Sequence, residues 1–309
     1  MRFFTSLDES LPFFKAMSSD IRIQILNILT NEPGMNLNDL SNRLGITSGA
    51  LTSHIRLLED AGVIEVKAVP AKHGIQKICM VIKEKHLFQV GYADYEQTSY
   101  RSELSPGHYI DYDVTPTCGI ATLHRVVGVY DNPVYFADAE RFNAQVLWFT
   151  TGFVEYEIPN YLPENSICKE LVIQAELGSE AAGFNNDYKS DIHFSINGKH
   201  IGVWQSPGDF GGIKGIYNPD WWIPSMNQHG ELMEIRINDQ GCFMEKQQVS
   251  DVTPNSLKVV PKDRIRLRLE IPKGLPNSRG LTIFGRGFGN YNIGIMVNVS
   301  YDMIVGEVI

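Results

Sequence analysis

The stretch ITSGALTSHIRLLEDAGVIEV, residues 46–66, limits the fold more than any other part of the chain. Gly45 precedes it, where a tight turn between two helices needs a residue free to take positive φ. Thr47 or Ser48 can cap the next helix by accepting from its first free N–H groups. Leu51, Ile55 and Leu58 recur at i, i+4 and i+7 and give one apolar stripe. The other face carries Ser48, Thr52, Ser53, His54 and Arg56. These short hydrogen-bonding groups and a cation suit phosphates and base edges in a major groove. Gly62 is placed as a left-handed C-cap, and Val63, Ile64 and Val66 open a strand. Any amphipathic helix ending in glycine shares part of this pattern, so its neighbours decide the reading.

Residues 14–29, FKAMSSDIRIQILNIL, read as a helix interrupted by a Ser-Ser-Asp cap, with Ile21, Ile25, Ile28 and Leu29 on one side. Residues 37–44, LNDLSNRL, read as a short helix just before the turn. Residues 63–69 and 76–82 form an alternating strand pair around PAKHG. The order is helix, helix-turn-helix, wing, with residues 1–10 as a lead-in. FKAMSSDIRIQIL followed by SGALTSHIRLLEDAGVIEV closely resembles the ArsR-type winged-helix repressors of bacteria, across residues 11–82. The resemblance implies a homodimer whose first helix, residues 11–30, forms the dimer contact. It implies two recognition helices entering successive major grooves of a pseudo-palindromic double-stranded operator. By position, Thr47, Ser48, Ser53 and His54 would approach bases or nearby phosphates. Arg43 and Arg56 would contact the backbone, and Lys72 and His73 at the wing tip would track phosphates or the minor groove. Many regulators of this type sense metals through a Cys pair in the first helix of the helix-turn-helix. Here that helix, NLNDLSNRL, has neither Cys nor His, so no metal and no cofactor is expected.

At 309 residues the chain is long enough for two domains, each with its own core. No apolar run approaches the roughly 18–20 residues of a membrane span. The opening MRFFTSLDES has early acidic residues and lacks an apolar signal core, so a cytoplasmic location is expected. Cys79, Cys118, Cys168 and Cys242 are far apart in sequence, which suits reduced thiols better than a disulfide framework. The net charge of −9 would argue against DNA if it were uniform, but it is not. Residues 1–86 hold 10 Lys and Arg against 9 Asp and Glu, whereas residues 87–309 hold 17 against 27. A local cationic face from Arg43, Arg56, Lys67, Lys72 and Lys77 suffices for a small DNA-binding module.

Residues 86–105 change character and read as a connector between a winged helix-turn-helix domain, 1–85, and a second domain, 106–309. From residue 106 the pattern is β. HYIDYDV, VYFADAERFNAQVLWF, KELVIQAELGS, SDIHFSING, ELMEIRIND, DRIRLRLEI, LTIFG and NIGIMVNVSYD alternate, separated by turn residues. ING-K and ND-QG read as tight turns. The expected architecture is an α+β winged helix-turn-helix followed by an all-β antiparallel sandwich, jelly-roll-like.

The densest chemistry lies in residues 191–222, with Trp204, Trp221 and Trp222 among Gln205, Asp209, Asn218, Asp220 and several glycines. Flat aromatic faces beside carboxylates and amides are what sugar rings bind to. FGRGFGNY, residues 284–291, could supply a second wall with Arg286 and Asn290 as polar contacts. Tryptophans of a β-sandwich are most often core or turn-packing residues, and for Trp204, Trp221 and Trp222 core and binding surface weigh evenly. Asp209 in SPGDFGG also suits an Asx turn. Trp148, in VLWFTTGF, reads as core. Carboxylates for glycosidase work exist in Glu155, Glu157, Asp191, Asp209 and Glu234, but their separation is not readable from sequence. No GxSxG or HExxH motif occurs, and fusion to a DNA reader argues for sensing over turnover. The expected function is a DNA-binding transcriptional repressor, not an enzyme, whose β domain binds a small effector, a carbohydrate. The alternatives are an assembly module in place of the sensor, or a carbohydrate-active enzyme with a DNA-binding appendage.

Overall fold

The computed structural model describes residues 2–4, 7–70, 75–88 and 98–304. It divides into two compact units, Met1–Ala93 and Asp94–Ile309. The first holds, in order, β1 (Arg2–Phe4), α1 (Leu7–Met17), α2 (Asp20–Asn31), β2 (Met35–Asn36), α3 (Leu37–Leu44), α4 (Ser48–Asp60), β3 (Ile64–Pro70), β4 (Ile75–Val81) and β5 (His86–Phe88).

The Ser-Ser-Asp interruption separates α1 from α2, with Ser19 in extended conformation at φ −153° and ψ 126°. Arg22 closes the break. Its Nε donates to the Ala16 carbonyl at 2.6 Å and its Nη2 to that of Lys15 at 2.7 Å. Two carbonyls left open at the end of α1 thereby gain charge-assisted partners. Gly45 takes φ +65° after α3, and Gly62 takes φ +71° after α4, as turn and cap require. Leu51, Ile55 and Leu58 pack with Ile25, Leu29, Leu40, Val63 and Ile64 in one core. The wing pairs β3 with β4 in antiparallel register from Ile64↔Val81 to Pro70↔Ile75, and β2 extends it by pairing with β4. Of residues 1–10, read as a lead-in, residues 2–4 instead form a strand and residues 7–10 the first turn of α1. β1 pairs in parallel with β5, and the Phe4 and Phe88 rings stack at 4.9 Å against Phe13. Burial of Phe4 accounts for the order of this segment.

The second unit holds β6 (Thr98–Leu104), β7 (Tyr109–Ala121), β8 (Val146–Ile158), β9 (Ser166–Gly178), β10 (Ser190–Ile196), β11 (Lys199–Ser206), β12 (Glu231–Asn238), β13 (Gly241–Met244), β14 (Gln247–Ser250), β15 (Ile265–Ile271), β16 (Leu281–Phe284) and β17 (Ile295–Met303). Two layers follow from the pairings, β7-β8-β15-β10-β11 and β6-β17-β9-β12-β13-β14. β16 joins them, pairing with β8 along one edge and β9 along the other. At the opposite side, the Ser250 hydroxyl of β14 donates to the Ile201 carbonyl of β11 at 2.8 Å, so the sandwich is nearly a barrel. All these pairings are antiparallel. One continuous core fills the interior, from Ile192, Phe194 and Leu267 in one layer to Ile173, Ile235 and Val297 in the other.

The hairpin at Asn197-Gly198, φ +50° and +76°, connects β10 to β11 as the Asn-Gly pair requires. VYFADAERFNAQVLWF is not one strand. Its first part forms 3-10 turns, Pro133–Ala137 and Ala139–Asn143, and β8 starts only at Val146. Asn132 and Asp138 cause this by capping, each side chain accepting from a backbone N–H two residues on. The stretch read as a connector, 86–105, is divided between the units, β5 completing the first and β6 the edge of the second.

Candidate functional site

α4 presents a surface with little intrinsic obligation to the fold. Thr47, extended at φ −69° and ψ 152°, caps the helix by accepting from Ala50 N–H at 3.3 Å. Ser48, Thr52 and Ser53 are exposed. The Thr52 and Ser53 hydroxyls donate only to carbonyls one turn back, of Ser48 at 2.8 Å and Gly49 at 3.4 Å. No acidic residue lies in the first turn, while Glu59 and Asp60 sit at the far end. The helix therefore offers polar, uncharged groups at its electropositive terminus, which favours an approaching phosphate. Arg56 is exposed and lies 3.8 Å from Asp60. Arg43 donates to Glu32 at 2.6 Å. Both are surface pairs of small worth, easily exchanged for phosphate. His54 is half-buried, its Nδ1 3.5 Å from Arg22 Nη1. Lys72 and His73 lie outside the described residues. Thr47→Ala removes the cap, and chemical denaturation followed by helical circular dichroism is expected to show a loss of about 1 kcal/mol.

In the β unit, Trp221 and Trp222 meet edge-to-face at 5.4 Å, and Trp222 packs likewise on Phe288 at 5.1 Å and Trp148 at 5.8 Å. Trp222 is buried and donates to the Asn227 carbonyl at 2.7 Å. Trp221 is half-buried and donates to the Leu123 carbonyl at 2.6 Å. Trp204 lies apart, buried in the main core, with its indole N–H on Glu245 at 2.8 Å. Arg286 is held by Glu103 in a two-pronged pair at 2.8 and 2.6 Å. The Asn290 side chain accepts from Ile216 N–H at 2.9 Å. Beneath it, the fully buried Glu176 accepts from the backbone N–H groups of Gly230, Asn290 and Tyr291 at 2.7–3.0 Å, fastening the loop after β16 to that before β12. Trp221, Trp222 and Asn290 thus share one end of the sandwich, whereas Trp204 does not.

Asp209 belongs to a polar network invisible in sequence. Its Oδ2 accepts from Ala181 N–H at 3.0 Å, and its Oδ1 is buried with no hydrogen-bond partner among the described residues. Burial raises its pKa to about 7. Glu180 is raised further above the carboxylate range by burial and by the Asp209 charge. Around it stand Thr117 at 2.9 Å, Asn227 at 3.2 Å and Thr282 at 3.4 Å. Thr282 has one hydroxyl proton, and the Ser179 carbonyl at 2.9 Å is its nearer acceptor. The Thr282–Glu180 contact is then satisfied when Glu180 itself carries a proton. Alternation gives no hint of it: Leu171, Ile173, Ala175 and Leu177 set the inward positions of β9, and Glu180, two residues past the end of the strand, has the opposite parity.

The other candidate carboxylates are engaged. Glu155 meets Arg268 at 3.0 Å, and Glu157 lies 3.6 Å from Arg264. Asp191 accepts from Gln205 at 2.8 Å and Asn277 at 2.9 Å, and Glu234 from Gln174 at 2.8 Å. All four cysteines are buried and free, and burial pushes the thiols of Cys79, Cys168 and Cys242 up to about 11 and that of Cys118 to about 12. Among the described residues no helix is long and apolar enough to cross a membrane.

No curated protein matches the chain in sequence. The family model for winged helix-turn-helix DNA-binding domains matches residues 18–65, from the break before α2 to the first residues of the wing. Helix order, the Gly45 turn, the exposed polar terminus of α4 and this match agree: the N-terminal unit is a winged helix-turn-helix DNA-binding domain.

Proposed function

We propose that the chain is a transcriptional repressor of ArsR-like design that binds a pseudo-palindromic operator as a homodimer and is released by a small carbohydrate held in its β-sandwich. The observation that carries this reading is the exposed, carboxylate-free beginning of α4 behind the Gly45 turn, joined in one chain to a large folded β unit. α1 supports the dimer. Leu7, Leu11 and Phe14, at i, i+4 and i+7, are exposed on it, an apolar stripe suited to a second copy. The β-sandwich acts as a sensor in this reading, without turnover, because its candidate carboxylates are engaged with Arg, Asn and Gln partners or buried. A coupling of about 1–3 kcal/mol between sugar and DNA would change operator affinity roughly 5- to 150-fold.

Selection of random duplexes by the purified protein tests it. The expected product is a pseudo-palindrome whose half-sites lie about one helical turn, roughly 34 Å, apart. Leu11→Glu is expected to sediment as a monomer and to bind the selected site more weakly, while retaining its helical signal. Absence of any enriched sequence would sink the DNA-binding reading. Operator affinity unchanged at saturating concentrations of a sugar that the protein binds would sink the release mechanism.

A further inference from the structure

We propose that the outer face of β12 and β13, with the turn that follows, is the saccharide site, and that Phe243 is its stacking platform. The proposal rests on the sugar-sensing reading above and locates it away from Trp221 and Trp222. A cleft of about 280 Å³ opens on this face. It is lined by Glu234, Arg236 and Asn238 of β12, Phe243 of β13, and Glu245 and Lys246 beyond it. Alternation sets the lining: Met233, Ile235 and Ile237 fill the core, so their neighbours on β12 face outward. Cys242 and Met244 are likewise buried, which leaves the half-buried Phe243 ring on the outer side.

The polar groups are already positioned. Arg236 donates to Glu170 at 2.8 Å and to Glu234 at 3.1 Å, and Gln174 holds the other Glu234 oxygen at 2.8 Å. Side chains fixed in this way lose little freedom when a ligand arrives. The turn adds a separate argument. Met244 pairs with Gln247, leaving Glu245 and Lys246 as a two-residue hairpin loop with φ +48° and +73°. Such loops favour Asn-Gly, and β10–β11 uses that pair. Glu and Lys gain nothing from this backbone, yet both side chains line the cleft. A local choice that opposes the turn is expected where the side chains serve a ligand.

With Gln240 of the β12–β13 turn, the lining combines two carboxylates, two cations, two amides and an aromatic face. That set matches a neutral ring bearing several hydroxyls on its edge and C–H groups on its face. The volume of about 280 Å³ lies just below the usual range of ligand clefts, about 300–1,000 Å³, and suits a small ligand such as one or two sugar rings. Glu245 also takes the Trp204 indole N–H, so a ligand drawing on Glu245 alters the surroundings of that tryptophan.

Isothermal titration calorimetry of the full chain, with neutral mono- and disaccharides of glucose, galactose, mannose and xylose, tests the site. At least one sugar is expected to bind and to shift tryptophan fluorescence. Lys246→Gly, which keeps the Glu245 bond to Trp204 and relieves the position at φ +73°, is expected to melt at the same or a higher temperature and to bind that sugar at least tenfold more weakly. Phe243→Leu, which keeps the apolar cover but loses the ring, should weaken binding to a similar degree. Undiminished binding in both variants overturns the cleft and leaves sugar sensing standing. No heat and no fluorescence change with any of these sugars in the unaltered protein overturns both.

Discussion

A protein carrying Ser48→Glu and Ser53→Glu will lose roughly 100-fold in DNA affinity, about 3 kcal/mol, while its winged-helix unit keeps its stability. The two effects separate because the substitutions suit the helix. Ser48 is the first residue of α4, whose opening turn has no acidic group, so a carboxylate there meets the positive end of the helix dipole. Ser53 is exposed and makes one weak bond to the Gly49 carbonyl, and glutamate is the better helix former. Against DNA the same carboxylates stand where phosphates must come, and in a dimer the repulsion is counted on both helices. Fluorescence anisotropy with a labelled duplex and a thermal melt of the same preparation check the two halves together. An affinity within a fewfold of the unaltered protein would remove α4 from the interface.

The second large effect is in pH. A carboxylate whose folded pKa exceeds its unfolded value is protonated in the native state while already ionised in the unfolded chain. The unfolded state then binds fewer protons, and stability falls as pH rises through that window. For Asp209 the window runs from 3.8 to about 7. A shift of about 3 pKa units corresponds to about 4 kcal/mol, the full loss being reached once Asp209 is ionised in the folded protein. Glu180, raised for the same reason, acts in the same direction. The melting temperature of the β unit is expected to decline from mildly acidic to mildly alkaline solution. Asp209→Asn, neutral at every pH, should flatten that decline and melt roughly 10 °C above the unaltered protein on the alkaline side. An identical slope in the variant would show that Asp209 does not carry the effect.

The winged helix was legible because its signals are local. Gly45, Thr47 and Gly62 each answer a demand of one turn or one cap, and the structure places each in that geometry. The β1–β5 pair was not legible, since three-residue strands are made by the packing of Phe4, Phe13 and Phe88 and not by their own pattern. Alternation likewise marked most long strands of the sandwich but misread residues 133–143, where Asn132 and Asp138 capture backbone N–H groups. The candidate sites were harder. Trp204 and Trp222 have the composition of a sugar platform, yet which way an indole points depends on strand register and loop closure. Glu180 and Thr117 meet from positions 63 residues apart, a juxtaposition no spacing rule encodes. The Glu245-Lys246 turn could have been noticed: two charged residues without Asn or Gly separate two short strands.

The partnership of β6 with β17 has a consequence for the chain as it is made. These strands open and close the described part of the β unit, and they pair across Leu104↔Ile295 to Thr98↔Tyr301. A nascent sandwich therefore cannot complete its edge until β17 has left the ribosome, and its unfinished layers wait with apolar faces uncovered. The winged-helix unit, built from contacts close in sequence, folds long before that. For much of its synthesis the chain presents a finished DNA-binding domain tethered to an unfinished β unit, and the two halves of the molecule mature at different times.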